Sequence, residues 1–231
     1  MEFFQNLLPL IAQSSGFDRS DRIIPSLIVI FLAIGIHEYC HAKFADMAGD
    51  PTPRIHGRVT LNLFNHFDPI GALFIVMTVV AGFGIGWGRP VPMDPSKMRN
   101  PKWDHFAAVA AGPVSNLLQA MVFAGLFQLV VGGGLSRDPF VLNLLVTGVV
   151  INLALFFFNL IPIGPLDGMW ILGTFLPESV RERWTFWNLR TGMFVFLGIL
   201  MIGWVLPGFS IISILIGTPT VFVARMLGLP I

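Results

Sequence analysis

Charged residues are scarce in this chain of 231 residues. Only 12% of them are Asp, Glu, Lys or Arg, whereas 55% are hydrophobic, and the mean hydropathy is +0.77. A soluble domain carries about 25% charged residues, because a surface that faces water needs them. The shortage excludes an ordinary soluble domain and predicts that lipid surrounds much of the protein. A net charge of +1 offers no basic surface, so we expect no nucleic-acid partner.

Cysteine is almost absent as well, and the single Cys40 excludes an intramolecular disulfide. The features of a signal peptide are also missing, because Glu2 replaces the usual basic start and Pro9 interrupts a short apolar run. We predict that residues 1–22 form an interfacial segment. Residues 23–231 show no repeat and no low-complexity linker, so we predict that they form a single intramembrane domain.

Long apolar stretches follow one another along the chain. Most of them reach the roughly 20 residues that a helix needs to cross a bilayer. We predict an all-α integral membrane protein, a polytopic bundle of about four to six transmembrane segments. The stretches are Ile23–Ala45, Pro69–Trp87, His105–Gly133, Phe140–Ile163 and Thr191–Gly217.

The second of these stretches differs from a straight span. It begins with Pro69 and Gly71, and it ends in alternating glycines before Arg89. This pattern favours a re-entrant segment that bends back within the membrane. Irregular backbone at membrane depth needs protein or a water-filled cavity around it, so we expect a cavity nearby.

Two histidines and a glutamate interrupt the first stretch, in the order His37-Glu38-Tyr39-Cys40-His41. Residues four apart share one helix face, so His37 and His41 can bind one metal ion. Glu38 lies about 100° around the helix, within reach of a metal-bound water. Ionisable groups are costly in lipid and therefore indicate function. The pattern is typical of zinc proteases and predicts Zn²⁺ as the cofactor, with Glu38 as the base.

A third protein ligand is expected, because catalytic zinc usually has three and a water molecule. Asp167 is the leading candidate, as a lone carboxylate in a turn rich in proline and glycine after the fourth stretch. The same position also suits a helix N-cap, and the sequence leaves both roles open. His66 and Asp68, in a polar loop, are weaker candidates. Water is expected to reach the zinc along His56, Asn62, Asn65 and His66.

Several further motifs follow the paired histidines in a set order. They are Gly57–Asn62, His66–Gly71, Gly86–Pro92, Ala111–Asn116 and Asn159–Gly168. Together with the motif of His37, they resemble the site-2 protease family of intramembrane zinc metalloproteases. The similarity is greatest to the compact members that have no PDZ or CBS domain, and it covers most of residues 31–176. Leu63 and Gly164 stand where relatives often have proline, which affects local loop shape.

The resemblance implies an enzyme that hydrolyses peptide bonds in or near transmembrane segments of membrane protein substrates, as in regulated intramembrane proteolysis. It implies that His37, His41 and Asp167 are the zinc ligands and that Glu38 is the catalytic acid/base. Asn159 is implied to lie close to the substrate, where it could donate to the developing oxyanion.

Further polar residues complete the predicted site. Asn62 and His66 are candidate substrate contacts. The run Arg58–Asn62 predicts an edge strand, a short β element near the active site that could hold an unwound substrate by strand addition. Asn116 is expected either to bond across helices or to contact the substrate.

The ligands also constrain how the chain threads the membrane. Zinc–ligand bonds are about 2 Å, so His41 and Asp167 must lie at the same depth. The first and fourth stretches must then run parallel, which requires the second to re-enter instead of crossing. One face of the membrane then holds most basic residues, and the positive-inside rule makes it the cytoplasmic face of the cell membrane. These residues are Lys43, Arg54, Arg58, Arg89, Lys97, Arg99, Lys102, Arg181, Arg183 and Arg190.

Two other functions fit part of this pattern. A membrane metal-ion transporter also places histidines and acids at mid-membrane. An inactive relative would bind substrate without cleaving it. Glu38 argues against a transporter, which needs ligands but no unligated base, and the presence of both Glu38 and Asp167 argues against an inactive protein. The substrate and the oligomeric state are not predicted.

Overall fold

The computed structural model describes residues 19–81, 86–136, 138–205, 211 and 213–231. Within them the regular structure is helical, and short 3₁₀ or π turns adjoin several helices. The α-helices, numbered here in chain order, are α1 (Arg19–Met47), α2 (Thr52–Ile55), α3 (Pro69–Ala81), α4 (Pro101–Gly132), α5 (Pro139–Asn159), α6 (Gly168–Phe175), α7 (Glu178–Trp187), α8 (Met193–Val205) and α9 (Thr218–Met226).

Three of these helices, α1, α4 and α5, are long and apolar enough to cross a membrane. The shortest, α5, has 21 residues, which at about 1.5 Å per residue matches a hydrocarbon core of roughly 30 Å. These helices are consistent with the predicted helical membrane protein. The segment 1–22 and the stretch Thr191–Gly217 lie partly outside the described residues. The predicted total of about four to six spans therefore stays a prediction.

Polar caps and prolines define where α4 and α5 begin. Asn100 caps α4 by accepting a hydrogen bond from the backbone N–H of Trp103. Asp138 caps α5 in the same way, accepting from Phe140 and Val141. In each helix the next residue is a proline, whose fixed φ and missing N–H suit the first helical position.

The long helices pack in alternating directions. His41, late in α1, contacts the carbonyl of Ala108 early in α4, whereas the carbonyl of Ala33 contacts Asn116 further along α4. These two helices are therefore antiparallel. Asn116 also bonds to Asn152 of α5, which follows α4 after a short loop and runs parallel to α1. The C-terminal ends of α1 and α5 thus lie at one end of the bundle.

The main apolar core lies between α4 and α5. Val149 and Leu153 of α5 are fully enclosed, and they pack with Ala120 and Ala124 of α4. Small residues at a helix interface let the backbones approach closely, which favours packing inside a membrane. This close packing fixes the positions from which α4 and α5 present polar side chains to α1.

Residues on either side of α3 meet each other. Phe67, before the helix, forms an antiparallel β-bridge with Gly88, after it. A Cβ atom at Gly71 would stand within 3.0 Å of the carbonyl oxygen of Trp87, so the close approach requires glycine. The chain therefore returns to the place where α3 begins. The 13 residues of α3 extend only about 20 Å, less than the roughly 30 Å of a bilayer core.

The edge strand predicted over Arg58–Asn62 is not formed. This run is irregular, and the bridge beside α3 is the β pairing that the described residues contain. The buried side chain of Arg58 donates instead to the carbonyls of Arg89 and Pro90. A side-chain anchor of this kind orders the run without the ladder of backbone hydrogen bonds that defines a strand.

Candidate metal centre

The C-terminal half of α1 carries the paired histidines. His37 and His41 lie one turn apart, and their Nε2 atoms face each other at 2.9 Å. Their ring centroids are 4.5 Å apart, and the two residues are only 7% and 4% exposed. The spacing of four residues therefore produces the shared helix face that the sequence predicted.

Asp167 reaches the histidines from a distant part of the chain. Pro162 and Pro165 keep the residues after α5 from continuing as a helix. The chain turns, and Oδ2 of Asp167 lies 3.2 Å from Nε2 of His37 and 3.3 Å from Nε2 of His41. Its side chain makes no capping hydrogen bond to α6, so it does not adopt the N-cap role that the sequence left open.

The outer nitrogen of each ring faces a fixed acceptor. Nδ1 of His37 lies 2.7 Å from Oδ1 of Asn116, and Nδ1 of His41 lies 2.8 Å from the carbonyl oxygen of Ala108. Because both partners are oxygen acceptors, each Nδ1 carries the hydrogen and donates it. In the neutral rings both Nε2 atoms then keep a free lone pair, and metal-ligating histidines likewise donate their other ring N–H to an acceptor.

The donor atoms fit a zinc ion. The three distances between Nε2 of His37, Nε2 of His41 and Oδ2 of Asp167 are 2.9, 3.2 and 3.3 Å. Ligands bonded at about 2.0–2.1 Å to a tetrahedral ion stand roughly 3.3 Å apart. Among the described residues, Oδ2 of Asp167 is buried without a hydrogen-bond partner. Lone pairs that converge in this way need a cation, and this nitrogen and oxygen set suits zinc.

Gly112 of α4 lies directly against the two rings. A Cβ atom at this position would stand within 3.0 Å of His41 and of His37. The backbone of α4 can approach α1 this closely only where there is no side chain. The groups that approach Gly112 are the paired rings of His37 and His41.

Glu38 lies beside the three donor atoms but is not one of them. It is close enough to interact electrostatically with His37, His41 and Asp167. Its Oε2 is 3.8 Å from Nη2 of Arg58, which is only 2% exposed. A buried guanidinium needs a negative partner, so Glu38 and Arg58 form a buried ion pair at the edge of the centre.

Two of the predicted substrate contacts lie on accessible surfaces. Asn159, the last residue of α5, is partly buried, and its amide donates to the carbonyl of Leu155 at 3.0 Å. Asn62 is exposed, and its side chain accepts from the backbone N–H of Phe64 to cap a 3₁₀ turn.

His66 and Asp68, the weaker candidates for the third ligand, lie outside the group of three donor atoms. His66 is fully buried, with Nε2 at 3.0 Å from the carbonyl oxygen of Thr60. Asp68 accepts hydrogen bonds from the backbone N–H groups of Ile70 and Gly71, which caps α3. Both residues therefore have a structural role in the loop before α3.

Two residues of the centre were not singled out by the sequence. Arg58 lies in a motif that the sequence indicated, but nothing in that motif showed that its guanidinium would be buried beside Glu38. Asn152 interrupts the apolar α5 and bonds to Asn116. A polar residue within an apolar span is itself a functional signal, and this signal could have identified Asn152.

Comparison with known proteins gives an informative relative. The chain is 37% identical over 172 residues to a Bacillus subtilis (strain 168) protein named "Putative zinc metalloprotease YwhC". The aligned region covers 71% of this chain and 74% of that protein. Neither a protein-family model nor a solved structure matches the chain.

Proposed function

The chain belongs to the zinc metalloprotease family of its Bacillus relative, and on this premise we propose that it is an intramembrane protease of the site-2 protease type. Its reaction is hydrolysis of peptide bonds in or near the transmembrane segments of membrane proteins. One observation carries the proposal: three donor atoms converge inside a bundle of apolar helices, with the unligated Glu38 beside them. Ionisable residues inside a membrane are energetically costly, so their presence here indicates a function.

Each residue of the centre has a chemical role in this reaction. His37, His41 and Asp167 would hold the zinc ion, which when bound polarises a carbonyl and makes a water molecule acidic. Glu38 accepts a proton from the attacking water and later returns it to the leaving amine. Arg58 keeps this carboxylate paired with a positive charge inside the buried centre.

The substrate is expected to lie toward the end of α5. Asn159 is partly exposed there, eight residues before Asp167, and could donate a hydrogen bond to the developing oxyanion. Asn62, which is exposed, is a second substrate contact in this proposal. His66 is fully buried, so it would act by shaping the loop and not by touching the substrate.

We propose that the segment Pro69–Trp87 enters the membrane and leaves it on the same side. α3 is too short for a crossing, and the chain comes back to the start of α3. The flanking loops also contact each other, because the backbone N–H of Asp94 donates to Asp50 at 2.6 Å and Lys97 donates to Thr52 at 3.2 Å.

Cysteine labelling tests this threading. Single cysteines at His56 and at Lys97, in a Cys40→Ser background, should react with an impermeant thiol reagent from the same side. Both positions are exposed, whereas Asp50 is fully buried and would not label. Leu135, 67% exposed in the loop between α4 and α5, is the control that should label from the other side. Labelling of the cysteines at positions 56 and 97 from opposite sides would contradict the re-entrant segment.

We also propose that the centre lies toward the cytoplasmic side of a cell membrane. Arg54 pairs with Asp46 at 2.6 Å, and Arg99 donates to the carbonyl of Met47 at the end of α1. Basic residues thus lie at the end of the bundle that holds the metal centre, and the positive-inside rule makes this distribution support a cytoplasmic position. His41 lies six residues before the end of α1, a depth of about 9 Å.

Chelation tests the reaction itself. The purified protein in detergent or lipid is expected to cleave a single-span membrane protein near or within its span. A zinc chelator should abolish cleavage, and added zinc should restore it. Cleavage that continues after zinc has been removed would contradict the proposed function, as would zinc transport across vesicles without any cleavage.

A further inference from the structure

A chain of buried amides connects the candidate metal ligand His37 with the middle of α5. Oδ1 of Asn116, on α4, lies 2.7 Å from Nδ1 of His37. Nδ2 of Asn116 donates to Oδ1 of Asn152 at 3.0 Å. Nδ2 of Asn152 in turn donates to the carbonyl of Gly148 at 2.9 Å. Asn116 and Asn152 are both completely buried.

The order of donors and acceptors in this series of hydrogen bonds is set by its last member, the carbonyl of Gly148. The carbonyl of Gly148 can only accept, so Asn152 must turn its Nδ2 to it and its Oδ1 to Asn116. Asn116 must then present Nδ2 to Asn152, and its Oδ1 faces His37. The same Nδ2 also lies 3.3 Å from the carbonyl of Ala33, a second acceptor that favours this orientation.

The orientation of Asn116 determines which ring nitrogen of His37 carries the hydrogen. An oxygen at Nδ1 of His37 requires the hydrogen to be on Nδ1, which leaves Nε2 free to bind a metal. If Asn116 were reversed, its NH₂ group would face Nδ1, and the hydrogen would favour Nε2. That tautomer cannot bind a metal through Nε2.

Neither amide can act directly on a substrate. Both are 0% exposed, and the polar atoms of both are engaged inside the three-helix bundle. The sequence left open whether Asn116 contacts the substrate or bonds across helices, and the geometry favours the second. A packing role alone would not require the amides to be oriented toward the ring nitrogen.

We propose that Asn152 is a positioning residue that sets the tautomer and orientation of His37 through Asn116. The inference rests on the proposed zinc centre and extends it to a residue of α5 that is two hydrogen bonds away from the ring. Loss of either amide removes the preference for hydrogen on Nδ1, so it weakens zinc binding even though both zinc-facing side chains of α1 remain.

Zinc affinity measured by competition with a chromophoric chelator tests this inference. Asn116→Leu and Asn152→Leu are each expected to lower the affinity about tenfold, the lower end of the range for partners of metal ligands. Asn143→Leu is the matched control, because Asn143 is equally buried on α5 but accepts from Thr147 on its own helix. It should lose stability like the others and keep the affinity of the unchanged protein. An equal loss of affinity in Asn143→Leu would overturn the inference.

A double-mutant cycle separates positioning from a general structural effect. If Asn152 acts through Asn116, then Asn152→Leu should cause no further loss of affinity in the Asn116→Leu protein. Fully additive losses would show that the two amides act independently.

A smaller change covers the case in which a leucine variant does not fold. In Asn152→Ser the hydroxyl can donate to the carbonyl of Gly148 and accept from Asn116, so more affinity should remain than in Asn152→Ala. Equal affinities of the Ser and Ala variants would contradict the proposal. If the unchanged protein binds no zinc, the proposed function itself fails, whereas unchanged affinity in the variants defeats this inference alone.

Discussion

Glu38→Gln is expected to abolish peptide cleavage and to leave zinc bound. The substitution keeps the size of the side chain and removes the carboxylate that accepts a proton, while His37, His41 and Asp167 still supply their three donor atoms. General base catalysis contributes about 10²–10⁴ in rate, so the loss should be at least about a hundredfold. Zinc per mole of protein and the cleavage rate, measured on the same sample, test both parts.

Asp46→Asn provides the matched control for this experiment. Asp46 is another acid of α1, but it pairs at 2.6 Å with Arg54 of α2, beyond the centre. Its loss should leave both the zinc content and the cleavage rate nearly unchanged, since an ion pair with an exposed arginine contributes little. If Glu38→Gln lost its zinc together with its activity, Glu38 would be a ligand and the assignment of a separate base would be wrong.

Asp167→Ala is expected to remove both zinc and activity. The carboxylate supplies one of three proposed ligand atoms, at 3.2 and 3.3 Å from the two ring nitrogens. Its loss should lower zinc affinity by more than the roughly 10–100-fold that the loss of an outer partner costs. Because the side chain makes no capping hydrogen bond, α6 should remain folded, and circular dichroism can verify this.

Asp68→Ala discriminates between the candidate third ligands. Asp68 caps α3 through the backbone N–H groups of Ile70 and Gly71, so its loss should lower stability by about 0.5–2 kcal/mol without reducing zinc content. Full zinc occupancy in Asp167→Ala, together with loss of zinc in Asp68→Ala, would reverse the assignment and make Asp68 the third ligand.

Local periodicity explains what could be predicted without the structure. His37 and His41 share a face because four residues make about one helical turn, which is a property of the chain over a single turn. The length and apolar character of α1, α4 and α5 are equally local, and lipid permits few alternatives to a helix for such stretches. The parallel orientation of α1 and α5 could be predicted because His41 and Asp167, which are distant in sequence, must meet at one ion.

The arrangement of distant side chains could be decided only by the tertiary structure. Asp167, Asp68 and His66 are all plausible ligands by residue type, and only the packing of the helices brings Asp167 alone to the ring nitrogens. Arg58 was part of a predicted strand, but burial beside Glu38 makes it an anchor instead.

The same distinction applies to the amides and to the membrane helices. By itself, the sequence determined that apolar helices carry a paired-histidine motif, because helix formation and hydrophobicity depend on neighbouring residues. Which acceptor faces each ring nitrogen was decided by the tertiary structure. Asn116 and Asn152 become partners only when α1, α4 and α5 pack closely enough for their buried polar atoms to require one another.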